Sequence, residues 1–382
     1  MVTPEEFPYI TAVHVNDCYA DKDFGIKLHD YKPFSHLILT GKNGSGKSTI
    51  LRSISARFSV NSYGNPSHVD ILFKYSQNNE LNTYQHFAPV NIYNERLITF
   101  FQAKRESKFN PVNSPTRQDQ FNNYSLSSEL FLQYLVNKKV NQAFDQLDGN
   151  QINVQQTNIF FQKIEAVLRR MFDDNELELL FKKESYVFLL SLSGGHQVTF
   201  DLLPEGFSAF TSILLDLLIR TDLIRSSGDF TYDPCGIVLI DEPETHLHLK
   251  LQEQVLPILT ELFPNIQFIV ATHSPAVIAS IKNATIFDLT TKETRTSEDM
   301  VSQSYSELTV SHFGLENDYS AIADRLFAEI DSLVDTFGNE PSLLKNKLVD
   351  WRKLNNQLLS PTFQVKLEYL IAQQEAKLAV AR

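Results

Sequence analysis

The chain has 382 residues, with 46 acidic side chains against 34 basic ones and a formal net charge of −12. Hydrophobic residues at 42% and charged ones at 21% are ordinary for a globular protein with a sizeable buried core. The negative balance excludes a broadly cationic surface made to coat nucleic acid, and two cysteines, Cys18 and Cys235, exclude a disulfide framework and show no metal-ligand spacing.

The chain opens on Thr3, Glu5 and Glu6, without the basic-then-apolar order of a secretory leader. Its longest apolar runs, such as Gly236–Ile240, are far too short to span a bilayer. A cytoplasmic protein with no membrane partner is expected. From Ile10 to Leu28 the pattern predicts short strands broken by the turn-like Asp21-Lys22-Asp23, and His36–Thr40 a buried strand running into Gly41. Ile50–Phe58 reads as a helix, Val69–Tyr75 and Leu97–Phe101 as strands, and Lys104, Arg105 and Lys108 as the best local basic patch. Asn110–Tyr124, rich in Asn, Gln, Ser and Pro, reads as an exposed loop.

Ser128–Phe172 is helical with a break near Gly149. Strands Tyr186–Leu192 and Gln197–Leu203 follow, then helix Gly206–Arg220, strand Gly236–Ile240, helix Leu249–Phe263 and strand Ile266–Ala271. Beyond Asp288 the chain is charged and reads as mostly helical, with Ile322, Leu326, Ile330 and Leu333 on one face. The expected fold is α/β, with a mixed sheet, an inserted helical lobe and a helical C-terminal region. The corresponding divisions are a head in two parts, 1–105 and 181–300, a mainly helical insertion at 106–180, and a helical region at 301–382.

The strongest chemical signal is Gly41-Lys42-Asn43-Gly44-Ser45-Gly46-Lys47-Ser48, a full GxxxxGK[ST] between a strand and a helix. Glycines let the backbone curl until several N–H groups point at phosphate oxygens, and the helix N-terminus adds partial positive charge. The expected nucleotide contacts are Asn43, Gly44, Ser45, Gly46, Lys47, Ser48 and Thr49. Lys47 would reach the β- and γ-phosphates, the Ser48 hydroxyl would ligate Mg²⁺, and Thr49 would support the α-phosphate of ATP.

Ile237-Val238-Leu239-Ile240-Asp241-Glu242 is an aliphatic run ending in two carboxylates, as a central parallel strand buried on both faces reads. Asp241 would sit beside the Mg²⁺ and Glu242 would polarise the attacking water as general base. Ile266–Ala271 repeats the pattern and leads through Thr272 to His273, placed to hydrogen-bond the γ-phosphate. Leu192-Ser193-Gly194-Gly195-His196-Gln197 imitates the signature of ABC transporters. The alternating Gln197–Leu202 after it, however, continues as a strand, so the glycines should form a hairpin turn. Leu203-Pro204-Glu205-Gly206-Phe207, opening a helix, is the better signature candidate.

Together Gly41–Thr49, Leu203–Phe207, the string Asp241-Glu242-Pro243-Glu244-Thr245-His246-Leu247-His248 and Ala271-Thr272-His273-Ser274-Pro275 resemble the ABC-type ATPase heads of the RecF, SMC and OLD group. They resemble in particular its AAA_21-like branch, found in bacterial anti-phage defence and in retron and Septu systems. The resemblance covers roughly residues 1–105 and 180–290. It implies that Phe100–Arg105 is the Q-loop region, with Gln102 a ligand of Mg²⁺ or its water. It also implies that Glu205 and Gly206 complete a partner's site in trans, so that two chains clamp two ATP molecules. A homodimer, or a higher oligomer of dimers, follows. Pro204 stands where the family usually has Ser; it offers no hydroxyl to the γ-phosphate and leaves that contact to the Gly206 backbone and the helix dipole, so rapid hydrolysis does not follow from the resemblance. After Pro275 no clustered nuclease motif is seen. The resemblance therefore implies an ATPase sensor of a defence complex with a separate effector protein, such as a nuclease. The alternative is a RecF-like repair clamp that grips DNA on ATP binding; a transporter subunit fits the strings less well.

Overall fold

The computed structural model describes residues 3–18, 21–58, 69–74, 80–82, 97–105, 109–116, 128–225, 233–301, 303, 305, 307–308, 321–355, 357, 359 and 361–380. Tyr75, Lys108 and residues 117–124 of the expected loop lie outside the described residues. The chain parts into two compact units, residues 1–314 and 315–382.

In the first unit, β1 (Tyr9–Cys18) and β2 (Asp21–Lys27) form an antiparallel hairpin. With β4 (Val69–Lys74) and β5 (Glu80–Asn82) they make a four-stranded sheet of order β2-β1-β4-β5. A second, six-stranded sheet is built from β3 (His36–Thr40), β6 (Leu97–Phe101), β10 (Gly236–Asp241), β11 (Ile266–Ala271), β12 (Ala284–Asp288) and β13 (Glu293–Thr296). Its order is β13-β12-β3-β11-β10-β6, parallel throughout except for β13.

This sheet separates two apolar cores, and its strands feed both by alternation. Leu37 and Leu39, Ile237 and Leu239, and Ile269 and Ala271 enter one core; Ile38, Val238, Ile240, Phe268 and Val270 enter the other. Because both faces are buried, the strands read as unbroken aliphatic runs. The first core is closed by helix α1 (Lys47–Arg57), which buries Ile50, Leu51 and Ile54 at helical spacing, and by the four-stranded sheet. The second is covered by α2 (Ser128–Leu147), α3 (Gln151–Phe172) and α4 (Glu205–Arg225), with a small sheet of β7 (Glu178–Lys182), β8 (Val187–Ser191) and β9 (Gln197–Thr199).

Four local readings change. The turn expected at Asp21-Lys22-Asp23 is instead the start of β2, with Asp21 and Lys22 paired to Cys18 and Asp17 of β1. The expected strand Gln197–Leu203 ends at Thr199 and becomes a single 3₁₀ turn that drops Phe200 into the core and leaves Leu202 exposed. The expected helix Leu249–Phe263 is two pieces, α5 (Leu249–Gln252) and α6 (Val255–Leu262). Pro257 has no N–H for the Glu253 carbonyl and its ring crowds that turn, so the helix restarts. A short helix α7 (Pro275–Ile278) precedes β12, and beyond Asp288 the chain forms β13 before its next helix, α8 (Ser297–Val301); a charged edge strand carries no apolar run to announce it.

The second unit is three helices, α9 (Ala321–Phe337), α10 (Pro341–Asn355) and α11 (Pro361–Val380), around Leu326, Ile330, Leu344, Leu348, Trp351, Phe363 and Leu367. Among the described residues, no helix is long and apolar enough to cross a membrane.

Candidate nucleotide site

The site grows from strand order. With β11 lying between β3 and β10, the carboxyl ends of these parallel strands bring Thr40, Ala271 and Asp241 to one edge of the sheet, where ligands of open α/β sheets bind. From Thr40 the chain enters a loop whose Gly41, Gly44 and Gly46 have φ of 128°, 81° and 96°, the left-handed region that favours glycine. A Cβ at Gly41 would lie 3.0 Å from Thr290 Oγ1 and 3.1 Å from Asp288 Oδ1. Asp288, the last residue of β12, and Thr290, the second after it, brace the loop: Lys42 N–H donates to Thr290 Oγ1 at 2.9 Å, and Thr290 N–H to Asp288 Oδ1 at 2.7 Å. The sequence carries no motif for that brace.

Helix α1 starts at Lys47 with no side-chain cap, so its first N–H groups remain for a ligand. Lys47 Nζ donates to the carbonyls of Gly41 at 2.8 Å and Lys42 at 3.1 Å. Burial lowers its pKa, opposed by Glu242, Asp241, Asp288 and Glu244. Asn43 and Gly44 are exposed at the loop's tip, Thr49 is half-buried, and the Ser45 hydroxyl is buried without a hydrogen-bond partner.

Ser48 hydrogen-bonds the Asp241 carboxylate, whose pKa is raised chiefly by burial. Asp241 Oδ1 is buried with no hydrogen-bond partner. An orphaned carboxylate oxygen beside a hydroxyl is a hard-oxygen donor pair, and it fits Mg²⁺, which binds through one or two carboxylates plus phosphates. Gln102 follows β6, whose Phe101 pairs with Ile240. It is thus brought to the same edge, with its side chain exposed.

Glu242 adopts a φ of 47°. Its N–H donates to Ala271 O at 2.9 Å, and its carbonyl accepts from Thr245 N–H at 3.3 Å and Thr245 Oγ1 at 2.9 Å. His273, two residues past β11, is within electrostatic reach of Lys47, Glu242 and Asp241. Its pKa is lowered first by burial and then by Lys47, which keeps the imidazole neutral near pH 7. The structure therefore brings together Lys47, Ser48, Asp241, Glu242 and His273.

Glu205 and Gly206 stand apart, at the start of α4, packed on the turn after β10. A Cβ at Gly206 would lie 2.3 Å from the His246 carbonyl oxygen, and Glu205 Oε1 lies 3.7 Å from His246 Nε2 on the surface. The residues Ser193–His196 make the hairpin turn between β8 and β9, closed by Leu192 N–H to His196 O at 2.9 Å. Arg105, expected in a basic patch and at the end of the Q-loop stretch, is half-buried and bonded to backbone carbonyls of Asp241 and Glu242. An arginine shortly after a strand gives no signal of this in sequence.

A "Retron Vc95 probable ATPase" of Vibrio cholerae serotype O1 biovar El Tor is 34% identical over 95 residues, 25% of this chain and 18% of that protein. A "Septu protein PtuA" of Bacillus thuringiensis is 24% identical over 272 residues, 63% of this chain and 66% of that protein. The chain thus spans less than a fifth of the retron relative and about two thirds of the Septu one. Among solved structures, an Smc head domain with an extended coiled coil, bound to the C-terminal domain of ScpA, from Pyrococcus furiosus, aligns with a TM-score of 0.41 at 12% identity. That alignment covers 77% of this chain and 98% of that one. The profile of the AAA_21 family, described as "AAA domain, putative AbiEii toxin, Type IV TA system", matches residues 72–279. That is more than half of the chain, and the chain belongs to the AAA_21 family.

Proposed function

We propose that this chain binds ATP with Mg²⁺ and hydrolyses it, as the ATPase subunit of a bacterial anti-phage defence complex with a separate effector protein. The carrying observation is the convergence of Lys47, Ser48, Asp241, Glu242 and His273 at the carboxyl ends of neighbouring parallel strands. In this reading Lys47 turns from the Gly41 and Lys42 carbonyls to the β- and γ-phosphates, and the uncapped N-terminus of α1 binds phosphate oxygens through N–H groups. Ser48 and Asp241 would hold Mg²⁺, which supplies charge neutralisation on the phosphates when bound. Glu242 takes a proton from the water that attacks the γ-phosphorus, and the products are ADP and phosphate. Neutral His273 donates a hydrogen bond to a γ-phosphate oxygen and so reports its presence.

The names of the retron and Septu relatives support the defence setting. Dimerisation is supported by the start of α4. Glu205 is exposed there, and among the described hydrogen bonds none ties it to its own phosphate loop. A DNA-gripping clamp is the second reading, and it loses support because Arg105 is committed internally, removing one cation from the expected basic patch.

Lys47→Ala should abolish binding of a fluorescent ATP analogue. Glu242→Gln should keep binding and lower kcat by about 100-fold or more, within the range of general-base removal. Unchanged turnover in Glu242→Gln would show that the base is another group.

A further inference from the structure

Two charged side chains without a role in phosphate binding lie beneath the site, Arg105 after β6 and Glu244 in the turn after β10. Arg105 spends its guanidinium on main-chain oxygens. Nη1 donates to Gln102 O at 2.8 Å and to Asp241 O at 2.9 Å, and Nη2 to Glu242 O at 2.8 Å. It thereby bridges the ends of two neighbouring strands. Glu244 does the complementary thing on the other side of β10. Its Oε1 accepts from the Thr272 hydroxyl and, at 3.1 Å, from His273 N–H, joining the turn to the tip of β11.

Glu244 is buried, which raises its pKa, and Arg105 is half-buried; charge taken out of water costs free energy unless it is compensated. Each retains one buried polar atom with no hydrogen-bond partner, Nε of Arg105 and Oε2 of Glu244, and Glu244 is the foremost carboxylate favouring the Arg105 cation. Between them stands Glu242 with its left-handed backbone, a conformation that persists only when the surroundings over-determine it. Arg105 holds the carbonyl of that same residue, and Glu244 holds the backbone of His273.

We propose that Arg105 and Glu244 are positioning residues, a two-sided clasp that fixes Glu242 and His273 relative to each other. The inference rests on the ATPase reading above. Neither residue needs to touch the nucleotide, so their loss should act on turnover and spare binding.

The test uses the full chain as wild type, Arg105→Lys, Glu244→Met, the double variant and Glu242→Gln. Steady-state ATPase rates are compared with titrations of a fluorescent ATP analogue. Lysine keeps the charge and loses the planar fork that spans three carbonyls; methionine keeps a similar volume and removes the acceptor shared by the Thr272 hydroxyl and His273 N–H. Each single variant should bind nucleotide within about threefold of wild type and lose about 10- to 100-fold in kcat, the scale of a misplacement near 1 Å. The double variant should fall no more than about threefold below the weaker single, because both act through one geometry. Full kcat in either single, a fall in affinity matching the fall in kcat, or multiplicative losses in the double would each overturn the clasp. If Glu242→Gln turns over like wild type, the general base is misassigned and the clasp falls with it. If Glu242→Gln is inactive while both singles are fully active, the clasp alone fails.

Discussion

At Gly206 the constraint is space. Its ideal Cβ position is 2.3 Å from the His246 oxygen and 2.7 Å from the His246 carbonyl carbon, so α4 meets the turn after β10 backbone to backbone. Gly206→Ala should cost about 1–3 kcal/mol, the usual range for overpacking, read as a lower urea midpoint with the same slope. An unchanged midpoint would mean that the turn yields freely. His36 poses a different single-residue problem. It is buried in β3, its Nδ1 accepts from Phe268 N–H at 3.0 Å, and burial pushes its pKa down to about 3. The folded protein thus keeps the ring neutral, while the unfolded chain protonates it near the ordinary 6.5. Its stabilising share is complete above pH 6.5 and is lost as pH falls towards 3, by about 1.4 kcal/mol per pH unit. Asn can supply an acceptor in place of Nδ1, so in urea melts at pH 7, 6 and 5 His36→Asn should show a shallower acid loss than wild type. Parallel curves would refute the assignment.

At the scale of elements, legibility followed burial. The strands β3, β10 and β11 were readable because both faces feed apolar cores, and β3 matches its predicted bounds residue for residue. The phosphate loop was readable because glycine spacing is dictated by positive φ. The missed pieces are those whose reason is non-local. The charged β13 exists because β12 offers an edge. The brace from Asp288 and Thr290 and the Arg105 contact need chain segments far apart in sequence. The start of α4 remains the element whose chemistry is most open to test. Pro204 precedes its first residue, and the Pro204 carbonyl accepts from Ser208 N–H at 2.9 Å. A serine there would keep that carbonyl and add a hydroxyl suited to an N-cap. Pro204→Ser should raise kcat several-fold with nucleotide affinity unchanged. An unaltered kcat would remove this position from the transition-state contacts.

For the whole molecule, the decisive quantity is how association responds to salt. Leu202 at 67% and Leu249 at 51% exposure lie four residues before Gly206 and three after His246 in the chain, so the segments proposed to meet a second chain offer apolar area. Each chain also carries a net charge of −12, and two such bodies repel when screening is weak. The Debye length falls from about 30 Å at 0.01 M salt to about 8 Å at 0.15 M. A dimer held by apolar contact and bound nucleotide should therefore tighten as salt rises across that range. A grip on DNA has the opposite dependence, because released counterions oppose binding at high salt. Glu242→Gln, retaining ATP, should double in mass from 43.7 kDa in light scattering when ATP and Mg²⁺ are present, and more completely at 0.15 M than at 0.01 M salt. The Lys47→Ala chain should stay monomeric under both conditions. Nucleotide-independent mass would argue against ATP as the clamp. DNA retention that requires ATP and weakens with salt would move the molecule to the clamp reading.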